Sequence, residues 1–198
     1  SLDEIKSEFG ENVADLVDGV SKLSGIRFSS RKAQQAGNFM KMLISVAKDL
    51  RVVIIKFADR LHNMETIRYM PRIKQHRIAV ETRDVYAPLA HRLGMASVKW
   101  KLDDLVLQVI NPDMYKEIDK KLKSSNKERD KYIKTVTSAL NDELLENKLS
   151  PSVYGRSKSH SSIYGKMILR EKSFDEIHDI LAIRVVVKKI EECYLALG

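Results

Sequence analysis

The sequence carries one cysteine, Cys193, among 198 residues. That excludes an intramolecular disulfide framework and any zinc site built on a cysteine pair, and it fits a reducing cytosol. Glycine (8) and proline (4) are scarce, which favours long helices over a many-turned β fold. No apolar run approaches membrane-spanning length: the longest, Val52-Val53-Ile54-Ile55, stops at Lys56. The start, Ser1-Leu2-Asp3-Glu4, is not a signal peptide and lacks an initiator Met. The expectation is therefore a piece of a longer cytoplasmic protein with no membrane partner. Internal repeats and low-complexity tracts are absent.

What is present is a 43% hydrophobic and 31% charged composition, enough to bury a core without staples. Lys+Arg 35 against Asp+Glu 27 leaves a net charge of +8, which points to an anionic partner such as nucleic acid, nucleotide or lipid headgroup without choosing among them.

The first two-thirds of the chain reads as helices. Residues 2–9 form a short amphipathic piece ended by Gly10, and Val13, Leu16, Val17 and Val20 mark the next helical face. Gly25 to Ser30 reads as a loop edged by Arg27 and Arg31, and Ala33 to Ala47 is helical again. Leu50, Ile54, Phe57, Leu61 and Met64 step by 4, 3, 4 and 3, which predicts a core-facing stripe. Val52, Lys56, Asp59, Asn63 and Thr66 repeat that spacing about 200° away, so Asp59, Asn63 and Thr66 share a face. Residues 72–93 form a further helix, with a kink or break at Pro88 and a C-terminal cap at Gly94. Val98 to Val109 is helical, Asn111-Pro112-Asp113 starts another helix, and the charged stretch 116–134 reads as a solvated helix face.

At Ser150-Pro151-Ser152 the texture changes. Ser152-Val153-Tyr154 is β-prone, Gly155 to Ser159 reads as a basic loop, and Ile163 to Arg170 as a helix. Leu181 to Val187 is the best strand in the chain, and residues 189–197 begin a helix. The architecture expected is mainly α, followed by the opening of an α/β domain.

Two groups of residues can carry chemistry. Asp59 offers hard oxygen ligands to a divalent cation, and Asn63, one turn on, can hydrogen-bond a phosphate. A hydrogen-bonded polar helix face explains the same spacing, and nothing in the spacing brings His62, His76 or His91 to Asp59. In the second group, Gly155, Arg156, Lys158 and Lys166 form a basic loop feeding a helix, suited to phosphate. It is not the nucleotide loop of the P-loop enzymes, since the Gly-Lys-Ser/Thr ending is absent. A solvated basic surface accounts for it equally. Asp179, beside the good strand, could hold magnesium bound to nucleotide phosphates.

The strings Phe9 to Val20, Lys56 to Met64, Tyr86 to Gly94, Tyr154-Gly155-Arg156 and Asp179 to Arg184 together resemble the RelA/SpoT homologue family. These enzymes make and break the alarmone (p)ppGpp in the stringent response. The resemblance implies an all-helical HD-type hydrolase portion over 1–110, a helical connector over 111–148, and the start of a nucleotidyltransferase-like synthetase over 149–198. It implies manganese-dependent removal of the 3′-pyrophosphate by the first domain. The second would transfer pyrophosphate from ATP, with magnesium, to GDP or GTP.

By resemblance, Asp59 is a manganese ligand, and Asn63 and Thr66 face the guanosine substrate. Gly155, Arg156, Lys158 and Lys166 bind ATP phosphates, and Asp179 holds magnesium. The intact Asp59-Arg60-Leu61-His62-Asn63 string implies the hydrolase-competent type, and Arg170-Glu171-Lys172 implies ready use of GDP. Ser157, Ser159-His160-Ser161 and Gly165 depart from the family pattern. The resemblance places the remaining catalytic residues outside this chain, and with them the domains through which the family meets the ribosome. Both sites would then be incomplete here. The alternatives are a non-enzymatic basic helical module that binds nucleic acid, and an HD-type phosphohydrolase acting on another nucleotide. Against the first, the basic residues form no single stripe interleaved with aromatics.

Overall fold

The computed structural model describes residues 1–198 except 22–29, 125, 178 and 198, and leaves out the side chains of 31–36, 38, 42, 124, 126–129, 156 and 157. Residues 25–29 of the expected Gly25–Ser30 loop, Arg27 among them, and the side chains of Arg31 and Arg156 lie outside the described residues. The chain divides into two compact units, Ser1–Val98 and Lys99–Gly198.

The first unit is helical. Helix α1 (Leu2–Phe9) carries a Ser1/Glu4 capping box, and α2 (Glu11–Val20) follows directly after Gly10. Helix α3 (Arg31–Lys48) and α4 (Arg51–Glu65) pack with α2. The buried face of α4 is Val52, Val53, Phe57 and Met64. This corrects the expected stripe: Leu50 and Ile54 are 64% and 55% exposed. The neighbour decides the matter. A β-carbon on Gly19 of α2 would stand 2.8 Å from Val52 Cγ2, so the bare glycine lets α2 close over Val52 and rotates burial away from Ile54.

Helix α5 (Arg72–Glu81) runs through a π-helical turn (Thr82–Tyr86) into α6 (Ala87–Arg92). The break expected at Pro88 takes this form. Proline clashes with the carbonyl four residues back; the wider turn, in which the Ala87 N–H donates to the Thr82 carbonyl, absorbs it without ending the helix. At Gly94 (φ 72°) the chain turns left-handed. The Gly94 N–H donates to the His91 carbonyl and the Met95 N–H to Ala90, the paired bonds of a Schellman stop.

Helix α7 (Ala96–Ile110) crosses the boundary, and the second unit holds its length from Lys99 on, with α8 (Pro112–Ser124), α9 (Asn126–Glu146), β1 (Ser152–Ser157), α10 (His160–Arg170), β2 (Leu181–Val186) and α11 (Ile190–Leu195). Ile118 and Leu122 of α8 pack with Ile163 of α10 and with Phe174. The two strands are antiparallel, in register from Ser152↔Val186 to Ser157↔Leu181. Gly155, Arg156 and Ser157, expected in a loop, are therefore strand residues. The connecting turn shrinks to Lys158 and Ser159, and α10 begins three residues earlier than expected because Ser159 caps it, accepting from the Ser162 N–H at 3.3 Å.

A two-stranded sheet is marginal alone and needs a helix on one face. Helix α9 supplies it at Gly155, where a β-carbon would stand 3.2 Å from both Cβ and Cγ1 of Ile133. Among the described residues no helix is long and apolar enough to cross a membrane.

Candidate functional sites

The candidate residues of the first unit stand on the solvent side of α4. Asp59 is exposed, and Asn63 Nδ2 donates to its Oδ1 at 3.1 Å. Thr66, the C-cap of α4, donates its hydroxyl to the His62 carbonyl at 2.8 Å. The three thus line up as their spacing requires. His76 and His91 are both exposed, and among the described residues no group of three His, Cys, Asp or Glu side chains could hold a metal ion. One carboxylate with an amide beside it does not by itself fit a resident divalent ion. A cavity of about 240 Å³ lined by Asp15, Asp18, Lys48, Asp49 and Arg51 includes none of Asp59, Asn63 or Thr66.

Arg60, next to Asp59, faces the other way. Its side chain is 12% exposed, its Nη1 donates to Glu81 Oε2 at 3.3 Å, and its guanidinium lies 3.9 Å from the Tyr86 ring centroid. Tyr86 meets Phe57 edge-on at 6.5 Å. Sequence reasoning missed this role, although the signal was available: Arg60 stands three residues after Phe57 and four before Met64, on their face of the helix.

In the second unit three elements converge. Lys158 at the end of β1 donates to Asp179 Oδ2 at 2.7 Å, and Lys166 of α10 reaches the same oxygen. The two ammonium groups hold the Asp179 carboxyl well below the usual carboxylate range, Lys158 first and Lys166 second. Burial and the neighbouring Lys166 push the Lys158 ammonium down, while Asp179 raises that of Lys166. Two cations on one anion leave a local surplus of positive charge, which suits a polyphosphate.

One expectation changes. The N-terminus of α10 is not open to a phosphate, because Asp104 of α7 already occupies it. Its Oδ1 accepts the Ser161 N–H at 2.8 Å and its Oδ2 the His160 N–H at 3.3 Å. Any anion bound here meets the two lysines rather than the helix end. Asp119 and Lys121, read as part of a solvated charged face, also have assigned partners: Asp119 meets His160, and Lys121 pairs with Asp175 at 2.8 Å.

The chain thus joins a helical first unit to a second unit in which a basic turn and an antiparallel pair of strands meet a carboxylate. Comparison with known proteins agrees. Residues 1–96 match the HD domain family, and residues 155–198 match the region found in RelA/SpoT proteins. The chain is 45% identical over 197 residues to a GTP pyrophosphokinase of Streptomyces antibioticus, covering 100% of this chain and 23% of that protein. It is 44% identical over 199 residues to a guanosine-3′,5′-bis(diphosphate) 3′-pyrophosphohydrolase of Spiroplasma citri (100% and 27%). With the bifunctional (p)ppGpp synthase/hydrolase SpoT of Escherichia coli it shares 41% over 195 residues (98% and 28%). Over essentially its whole length the chain is similar to proteins of the RelA/SpoT type, and it spans about a quarter of the length of the curated relatives it matches.

Proposed function

We propose that this chain supplies adjoining parts of a bifunctional alarmone enzyme of the cytoplasm. One part belongs to a hydrolase that removes the 3′-pyrophosphate of (p)ppGpp. The other belongs to a synthetase that moves pyrophosphate from ATP to GDP or GTP. The functional boundaries are 1–110 for the hydrolase portion, 111–148 for the connector and 149–198 for the synthetase portion.

The observation that carries this reading is the convergence of Lys158 and Lys166 on Asp179. A nucleotide's phosphates compete for those ammonium groups. Each lysine would exchange one carboxylate oxygen for phosphate oxygens, and Asp179 would be the carboxylate available to the magnesium that accompanies the nucleotide. Arg156 joins the two lysines as a phosphate-binding residue in this reading, and Gly155 keeps the strand close to α9. In the hydrolase portion Asp59 would supply one ligand to manganese, and Asn63 and Thr66 would present an amide and a hydroxyl to the guanosine substrate. Neither carboxylate completes a metal site with the described residues around it.

The test uses a full-length protein carrying this chain. Asp59→Ala is expected to abolish 3′-pyrophosphate hydrolysis and spare synthesis. Lys158→Ala, alone and with Arg156→Ala, is expected to raise the KM for ATP at least tenfold or lower kcat, with hydrolysis intact. Undiminished hydrolysis in the first variant, or unchanged synthesis in the second, defeats the corresponding half of the reading.

A further inference from the structure

His160 stands one residue beyond the Ser159 cap and follows the turn that holds Lys158. Its ring is stacked on Tyr115 of α8, with centroids 4.5 Å apart and planes 19° from parallel. Nδ1 lies 3.5 Å from Asp104 Oδ2 and Nε2 lies 3.3 Å from Asp119 Oδ1. Both ring nitrogens thus face carboxylates. Only the doubly protonated imidazolium can donate to both. The same Asp104 carboxylate accepts the first two N–H groups of α10, which have no partner within the helix and favour an anion there.

The charged groups facing His160 are Asp104 from α7, and Asp119 with its partner Lys123 from α8. Tyr115 covers the ring face. Asp104 first, against the cost of burial, holds the imidazole above its ordinary range.

The two lysines that meet Asp179 sit on either side of this cluster. Lys158 precedes Ser159, and its own N–H is fixed to the Ile180 carbonyl at 2.9 Å. Lys166 stands less than two turns into α10. A helix is stiff over that length, so wherever its first turn is held decides where Lys166 stands.

We propose that Asp104, His160 and Asp119 form a positioning clamp that fixes the start of α10 so that Lys158 and Lys166 converge on a nucleotide's phosphates, and that protonation of His160 closes it. The clamp rests on the nucleotide-binding reading of those lysines. None of its members touches the phosphates. A merely structural role would lower stability; a clamp ties nucleotide affinity to the protonation of one imidazole.

The experiment titrates magnesium ATP into a full-length protein carrying this chain by calorimetry from pH 5.5 to 9. It compares the wild type with His160→Asn, Asp104→Asn and Lys158→Ala, and follows the His160 ring protons by NMR. ATP phosphates titrate in this window too, so the quantity read is the ratio of wild-type to variant affinity at each pH. Expected is a ratio on the order of fivefold for His160→Asn at pH 6, shrinking towards one by pH 9. The His160 titration midpoint should lie above the ordinary histidine value in the wild type and fall in Asp104→Asn.

If Asp104→Asn fails to fold, His160→Asn and Asp119→Asn carry the same comparison. Wild-type affinity and pH profile in the folded clamp variants, with binding lost in Lys158→Ala, overturns the clamp and leaves the nucleotide site standing. No magnesium ATP binding by the wild-type full-length protein overturns the nucleotide reading at these lysines and the clamp with it.

Discussion

Gly155→Ala offers a sharp test of how this fold is held, because two general effects predict opposite signs for it. Replacing a glycine whose backbone an alanine can adopt stabilises a protein by about 0.4–1 kcal/mol, through the unfolded chain. Gly155 lies in β1, paired with Ile183, and its φ is not positive, so the backbone raises no objection. The space does. A β-carbon there would be 3.2 Å from Ile133 Cβ and Cγ1 and closer still to Cγ2. The closest approach is to the Cγ2 methyl, carried with Cγ1 on a β-branched side chain that is stiff at χ1, so that side chain or α9 itself has to move off the strand. Overpacking of this kind costs about 1–3 kcal/mol, which wins over the unfolded-state gain and leaves a net loss of about 1–2 kcal/mol. For a cooperative unit of about 100 residues that is a fall in Tm of about 5–15 °C. Ile133 is only half-buried, so Ile133→Ala alone should cost about 1–2 kcal/mol, below the range of fully buried isoleucines. The double variant should cost little more than Ile133→Ala, giving a coupling of about 1–2 kcal/mol. Urea unfolding followed by circular dichroism reads all four corners of the cycle. A Gly155→Ala chain as stable as the wild type, or a double variant no better than the sum of the singles, refutes the steric argument. The cycle also tests what the glycine is for: magnesium ATP binding restored in the double variant would assign Gly155 to packing rather than to close approach of phosphate.

Three further outcomes are expected. Glu171 closes α10 in the left-handed region at φ 50°, where a β-carbon is strained; Glu171→Gly should raise the urea midpoint by the equivalent of about 0.5–1 kcal/mol. Arg60→Ala removes both the Glu81 contact and the Tyr86 stacking and should cost about 1–3 kcal/mol, with Arg60→Lys recovering less than half in the same denaturation assay because an ammonium does not reproduce a stacked planar fork. The His160 midpoint is raised in the folded chain, so its stabilising contribution is complete below the unfolded value near 6.5 and is lost as pH rises through the folded one. The stability gap between wild type and His160→Asn should therefore be widest near pH 5.5 and close by pH 9 in urea titrations, and a gap that widens with pH contradicts the assignment.

The helices were legible where periodicity and punctuation agreed. Gly10, Pro112 and Gly94 fall where the chain starts or stops a helix, and the strand from Leu181 announced itself by β-branching. What stayed hidden was decided by neighbours. Helix α4 is apolar on more than one side near its start, so spacing alone could not tell Ile54 from Val53; the bare Gly19 across from Val52 made that choice. Gly155 to Ser157 looked like a loop because glycine is a weak strand former and basic residues follow it, and pairing with Leu181 to Ile183 overrode that preference. Asp104 and Asp119 gave no signal at all. Each is one acid in a charged helix until the fold sets His160 between them.

That contrast explains why the two candidate sites differ in how far local reasoning reaches. Asp59, Asn63 and Thr66 lie on one helix, so their alignment follows from 3.6-residue geometry and would survive in the isolated segment. The same geometry sends Arg60 into the Glu81–Tyr86 contact. The adjacent pair Asp59-Arg60 thus both exposes a carboxylate and anchors the helix that presents it, and an Arg60 substitution that lowered hydrolysis would do so through α4 rather than through the substrate. Lys158, Lys166 and Asp179 come from a strand end, a helix and the approach to a second strand, and no spacing rule relates them. Their meeting depends on the β1–β2 register, on Ile133 against Gly155, and on the Asp104 carboxylate at the head of α10. A substitution at any of those three places should disturb the lysines without touching them, whereas only a change on α4 itself, or in the helices against it, should disturb Asp59.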